Sequence, residues 1–445
     1  MSTTSFRSAS VCVEGQLTAA VLHVANGTIT QILPDGPAEH DLGQRVLLPG
    51  LVDAHVHINE PGRSEWEGFA SATRAAALGG VTTLVDMPLN SSPVTTTRDA
   101  LYTKVASTQG KLTVDVAFWG GVVPGNAGQL APMVEAGVRG FKCFLCPSGL
   151  DEFSHVGVEE LRLAMPILRD CGVPLLFHAE LEDELAQVPA DADPRAYRTY
   201  LHSRPKRWEE RAVGLVGELV RQTGCRAHIV HLSAASALPI LRAAKAEGLP
   251  ITAETCPHYL GLAAEEVPDG ATAWKCAPPI RENLNREALW QALGDGTLDV
   301  VVTDHSPCVP GLKHLDTGDF MNAWGGIASL QLGFSAVWTE AARRGFDIGW
   351  LSRRMAAAPA RLAGLRGRGE LRVGGRADLV GLEPDREWVV DPAALAHRHP
   401  QTPWAGRTLR GRVTDTWVAG EAVVRDGALV GALAGRAILN SNEGG

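Results

Sequence analysis

The sequence has no run approaching the ~18 consecutive apolar residues that a bilayer-crossing helix needs. Its first residues, MSTTSFRSASVCVEGQL, lack the basic stretch and apolar core of a secretory leader. Positive charge is also short: the formal net charge is -9, which leaves no basic footprint for nucleic acid or an anionic membrane. Solenoid repeats and low-complexity tracts are missing, which sets aside stacked-repeat and biased-composition classes. Eight cysteines in 445 residues are too sparse for a disulfide scaffold, and the chain is read as cytoplasmic with reduced thiols. Cys143 and Cys146 form a C-x-x-C with no second pair and no thioredoxin-like surroundings, so they are read as ordinary thiols.

What the chain does have is alternation. From residue 50, short apolar runs are separated by helix-like segments such as GFASATRAAALGG and SALPILRAAKAEG. The runs are GLVDAHVH (50–57), VTTLVDM (81–87), TVDVAFWGGV (113–122), GFKCFL (140–145), PLLFHAE (174–180), AHIVHLS (227–233), PITAETCPHYL (250–260) and DVVVTDHS (299–306). Eight strands with helical crossovers predict an α/β fold of (β/α)8 barrel type over residues 49–367. The ends read differently, with short strands, hairpin turns such as the Asn-Gly of VLHVANGTITQILP, and little helix pattern. Neither end has the apolar content to stand alone, so residues 1–48 and 368–445 are expected to pair into one composite β-sandwich. The final SNEGG is expected to be disordered.

A barrel of this kind works at the C-terminal ends of its strands. There the first strand delivers His55 and His57, the fourth Lys142, the fifth His178, the sixth His231 and the eighth Asp304. Residues i and i+2 of a strand share a face, so His55 and His57 can reach one ion. Nitrogen and carboxylate donors of this kind suit zinc or a similar divalent ion. Five such donors exceed one tetrahedral site and suit two metals that activate a water as nucleophile. Lys142 is the odd member, since an ammonium has no lone pair to offer and is repelled by cations. It must lose its proton or change chemically. A single histidine at a strand end is ordinarily a satisfied core residue; four in this arrangement, with Lys142 and Asp304, point to a metal centre. His258, in TCPHY, either lines the pocket or packs, and His305 faces away from Asp304 in a supporting role.

In this order, HVH, GFKCF, FHAE, HIVHLS and TDHSP resemble the cyclic amidohydrolases, the group holding allantoinase, dihydroorotase and the hydantoinases. The resemblance implies that Lys142 reacts with carbon dioxide to form a carbamate bridging two divalent ions, zinc first, with cobalt or manganese as alternatives. It also implies that Asp304 is both ligand and general base and acid, and that the chain is a homo-oligomer, with a tetramer favoured. HINEPGRSEWEGFASATRAAALGGVTTLVDMPLNSSP, GFKCFLCPSGLDEFSHV, KCAPPIREN and DFMNAWGGIASLQ are most similar to the allantoinase branch. That implies hydrolysis of the ring of allantoin to allantoate, a step of purine breakdown.

Asn59 sharpens this expectation. Dihydroorotases typically carry arginine there to hold a carboxylate, and asparagine offers only a neutral amide. Arg63 is the residue that could compensate. Hydantoinases and dihydropyrimidinases usually have a tyrosine soon after the lysine, absent from FLCPSGLDEF. For a neutral ring the expected contacts are Asn59, Asn90, Asn283 and the backbone at Gly325 and Gly326. HSRPKRWEERA, in a loop that could gate substrate, is read as a solvated helix face. The rivals are dihydroorotase, then hydantoinase, and a catalytically silent scaffold.

Overall fold

Every residue of the segment Leu51–Val56 is buried, the pattern of a strand covered on both faces. The computed structural model describes residues 3–183, 188–189 and 191–439. The SNEGG tail lies outside these residues, as do 184–187 and 190 of the loop considered as a gate. Seven more parallel strands follow the first: Val81–Asp86, Asp115–Phe118 continued by Gly120–Gly121, Phe141–Phe144, Leu175–His178, Ala227–Ile229, Ile251–Thr255 and Val300–Val301. The first three form one ladder, and Gly120–Gly121 through to Val300–Val301 form the other. The ring closes where Val56 bridges His305 and the His57 N–H donates to the His305 carbonyl at 2.8 Å. This is the expected (β/α)8 barrel.

Helix Lys206–Thr223 shows why the crossovers form. Trp208, Ala212, Val213, Val216, Leu219 and Val220 recur at three- and four-residue spacing and are its buried stripe. Gly224, at φ 69°, ends it in the left-handed conformation. Several expected strands are shorter than their apolar runs, among them Ala227–Ile229 and Val300–Val301. The seventh stops at Thr255, and Pro257–Gly261 turns into a short helix with proline in its first turn, where a missing N–H costs nothing.

Strands from both chain ends form one nine-stranded sheet, in which Leu379–Val389 pairs antiparallel with Val46–Pro49. Phe6, on Thr3–Val13, and Trp417, on Thr408–Val418, are three strands apart in its order. In a flat sheet that is about 14 Å, yet their rings lie 5.2 Å apart. The sheet therefore folds onto itself as a sandwich around Phe6, Leu22, Leu47, Leu379 and Trp417. Residues 435–438 leave it and run beside the third barrel strand, where the Ile438 N–H donates to the Val116 carbonyl at 2.8 Å. Among the described residues no helix is long and apolar enough to cross a membrane.

Candidate active site

A cavity of about 360 Å³ opens at the C-terminal ends of the strands, and His57, Lys142, His178, His231 and Asp304 are in its wall. His55 lies just behind, its ring 5.4 Å from those of His57 and His231. All six sequence-predicted donors thus come together, each at most 6% exposed. Two hold backbone conformations that L-residues rarely adopt, His231 at φ 37° and Asp304 at φ 45°. Such strain costs on the order of 1–3 kcal/mol per residue and persists only where surrounding structure enforces it.

Two buried carboxylates orient the rings. Glu254 bonds His55 at Nδ1, His228 at Nε2 (2.9 Å) and the His231 N–H (3.1 Å). Burial would raise its pKa, but His55 and His228 outweigh that and hold it at about 2. Glu180 accepts from Nε2 of His178 at 2.8 Å and pairs with Arg204. Neither glutamate was picked out from sequence. The signal was there: Glu180 shares the strand face of His178 at i+2, and Glu254 is a charge inside an apolar strand.

These bonds fix where the lone pairs go. With its Nδ1 hydrogen given to Glu254, His55 keeps a lone pair on Nε2, which finds no hydrogen-bond partner and faces Oδ1 of Asp304 at 3.1 Å. Two acceptors pointed at each other are satisfied by a cation between them. Donors about 2 Å from one tetrahedral ion lie roughly 3.3 Å apart, so the spacing fits. His178, with Nε2 held by Glu180, likewise presents Nδ1 towards Nε2 of His231 at 2.9 Å. Burial lowers the pKa of His57 to about 4 and that of His231 far below its ordinary value, which keeps both rings neutral and able to ligate. His55, His231 and Asp304 bring one donor atom each within 4.8 Å of the others. Lys142 is buried, 5.2 Å from the centre of the Phe144 ring, and burial lowers its pKa to about 8.

The expected substrate contacts divide. Asn90 and Gly325 line the cavity. Asn283 does not: it is exposed at the start of helix Asn283–Gly294, its carboxamide oxygen held by Arg286. The buried member of that segment is Asn285, which donates to the Ser233 carbonyl at 2.8 Å. Asn59 is buried at φ 68°, and its amide donates to the Pro307 carbonyl at 3.2 Å. It shapes the loop beside the cavity and is not in the wall. Gly326 lies against Ser306, whose carbonyl oxygen would be 2.2 Å from an added Cβ. Arg63 is spent on the Asn90 carbonyl and Glu152, both at 2.8 Å. No carboxylate clamp forms at that position.

His258 is fully buried outside the cavity wall, with both ring nitrogens unpartnered and one of them within 4.8 Å of an Asp304 oxygen. His305 faces away as expected, 3.2 Å from Glu67. Cys143 and Cys146 are free and buried, with thiol pKa values pushed up by burial, that of Cys146 to about 12. The segment read as a solvated helix face needs correcting, because its Arg204 lines the cavity, as do Tyr200 and Lys275.

A model of the amidohydrolase family matches residues 46–423. The chain is 51% identical over 420 residues to an allantoinase of Streptomyces avermitilis, covering 93% of each. It is 44% identical to an allantoinase of Arabidopsis thaliana, covering 87% of this chain and 79% of that one. Among solved structures it is similar to the L-hydantoinase (dihydropyrimidinase) of Arthrobacter aurescens, with a TM-score of 0.92 at 27% identity over 98% of this chain and 100% of that one.

Proposed function

Because the chain belongs to the amidohydrolase family, we propose that it hydrolyses the cyclic amide of allantoin to give allantoate. Family membership implies bound divalent metal ions. The observation that carries the chemistry is the facing pair of acceptors, Nε2 of His55 and Oδ1 of Asp304, buried at the end of the barrel. In our reading His55, His57, His178, His231, Lys142 and Asp304 hold two ions of zinc type. When bound, these supply Lewis acidity for the scissile carbonyl and for the attacking water.

Lys142 joins them by a covalent change: its neutral Nζ adds to carbon dioxide and loses a proton, giving an anionic carbamate with two oxygen donors. Burial favours the neutral amine that this step needs. Asp304 takes the proton of the attacking water and passes it to the leaving ring nitrogen. The Ser306 hydroxyl, donating to Oδ1 at 2.9 Å, fixes the orientation of that carboxylate. Glu254 and Glu180 hold the imidazole tautomers. Asn90 and the backbone at Gly325 offer amide donors and acceptors to a neutral ring.

The engagement of Arg63 with Glu152 and the Asn90 carbonyl supports this substrate over dihydroorotate. In our reading the catalytic unit spans residues 49–367, and the composite β unit is drawn from residues 3–48 and 368–434, with the stretch 435–438 returning to the barrel. Eight free cysteines support a cytoplasmic setting, and the family resemblance supports a homotetramer. The test is turnover by the purified protein, with bicarbonate and zinc, cobalt or manganese, of allantoin, dihydroorotate and hydantoin. Allantoin is expected to be preferred by more than about tenfold. Faster turnover of dihydroorotate sinks the substrate assignment, and inactivity on all three favours the silent scaffold.

A further inference from the structure

Two buried lysines that the proposed chemistry does not use underlie the segment Met321–Gly326 beside the cavity. Lys313 donates from Nζ to the carbonyls of Lys275 (3.1 Å), Trp324 (3.0 Å) and Gly326. An ammonium has three hydrogens, and three carbonyls take all of them. Lys275 differs by one. Its Nζ donates to the carbonyls of Met321 (3.1 Å) and Ala323 (2.6 Å) and lies 4.7 Å from the centre of the Tyr200 ring. Lys275, Tyr200, Met321 and Ala323 all line the cavity, although Lys275 is only 7% exposed.

Lys275 therefore keeps one N–H with no oxygen or nitrogen acceptor, only the face of the Tyr200 ring, on a charge that no carboxylate among the described residues neutralises by direct pairing. Burial first, then Lys313 and Arg204, lower its pKa to about 7 and Asp319 opposes them, so the protonated form is the one an added acceptor would favour. Arg204, another basic side chain in the wall, is matched by Glu180 through Nε at 3.1 Å and again through Nη2. A buried ammonium with a free hydrogen is costly to the fold, and methionine would fill the same volume without that cost. In an enzyme cavity such a group is a donor awaiting an acceptor.

Resting on the allantoin reading above, the acceptor can be named by chemistry. Allantoin has no charge and carries, besides its ring carbonyls, a ureido arm whose carbonyl oxygen is a strong neutral acceptor. With the scissile carbonyl at the histidines and Asp304, a second acceptor is left for another wall. We propose that Lys275 determines specificity by donating its third ammonium hydrogen to the ureido carbonyl oxygen of the substrate. The same hydrogen would select against hydantoins with bare or apolar arms, which would leave the ammonium unpaired on burial.

The test compares kcat/KM for allantoin and for unsubstituted hydantoin in the metal-loaded wild type, Lys275→Met and Lys275→Arg. A charge-assisted hydrogen bond implies that Lys275→Met lowers the ratio of the two values by roughly 10- to 100-fold, chiefly through KM for allantoin. Lys275→Arg is expected to recover part of the loss. Equal losses on both substrates would mean that Lys275 only props the loop, and an unchanged ratio also overturns the proposal. Should the wild type prefer dihydroorotate, with Lys275→Met abolishing that preference, the partner is a carboxylate and both readings fall, whereas allantoin turnover with an unchanged ratio sinks this one alone. If Lys275→Met does not fold or hydantoin is not turned over, a crystal structure of the metal-loaded Asp304→Asn variant with unhydrolysed allantoin decides. A ureido oxygen within about 3.2 Å of Nζ supports the assignment, and one beyond about 4.5 Å refutes it.

Discussion

At the N-terminal end of the barrel, Arg368 bonds Asp115 at 2.6 Å and Asp378 at 3.0 Å, and Arg376 bonds the same two carboxylates at 2.9 and 3.1 Å. Thr83 and the N–H groups of Arg436 and Ala419 complete the ring. At the C-terminal end the balance is reversed: ring nitrogens of His55, His57 and His231 are buried without a hydrogen-bond partner, and Lys142 and Lys275 lack a directly paired carboxylate. Both clusters bury charge. The first joins the barrel to the composite sheet and sets two guanidinium groups against two carboxylates. The second leaves lone pairs and a hydrogen unmatched, and so can bind something that is not protein. Burial of charge alone is uninformative about function; its completeness is what distinguishes architecture from site.

The comparison breaks most sharply at Lys142. Lys142→Ala is expected to lower kcat/KM for allantoin by at least about a thousandfold and to deplete bound metal, with the melting temperature of the metal-free protein little changed. Retention of full metal content and activity would refute the carbamate. Arg368→Met should do the opposite, removing about 3–5 kcal/mol of stability by leaving two buried carboxylates underpaired. Denaturant unfolding measures that loss, while activity per folded molecule is expected to hold. A large activity loss without destabilisation would undo the division of roles.

Smaller effects sharpen it. Glu254→Gln keeps the shape but weakens the grip on His55, and competition with a chelator should show metal affinity reduced by about 10- to 100-fold. Lys313 gives a pH signature. Burial lowers its pKa to about 8 from an ordinary 10.5, so between those values the unfolded chain binds a proton that the folded chain has released. Stability relative to Lys313→Met should therefore rise with pH across that window, by on the order of 3 kcal/mol, and be flat below about pH 8. A flat difference throughout would show that its carbonyl cage holds the ammonium at its ordinary pKa.

The barrel was legible because period encodes it locally, and the convergence of the six side chains proposed as donors because spacing does. His55 and His57 share a strand face, His178, His231 and Asp304 close apolar runs, and Lys142 is a charge inside one. The misreadings fall where tertiary context decides. PHYL carries the apolar character of a strand, but Pro257 starts a helix there. Asn283 and Asn285 look alike in the string, and only helix phase shows that the second is buried. Arg204 sits in a mixed-charge run that reads as solvent-facing, and its partner Glu180 is 24 residues away in sequence. Asn59 stands where dihydroorotases carry arginine, yet its side chain is tied to Pro307. The absence of a clamp is better argued from Arg63, held by Glu152 and Asn90. Lys275 had no signal of its own, since an unspent hydrogen is visible only when all the neighbours are placed.

The seam at which Val56 bridges His305 has a consequence for biogenesis. His55 and His57 leave the ribosome some 250 residues before Asp304, and Asp304 meets them only when the eighth strand docks beside the first. A nascent or truncated chain ending before that strand would offer an incoming ion a partial set of ligands. Under the proposed ligand set, metal capture at full strength would report that the ring has closed, making the ion an inspector of the finished barrel as well as its working part.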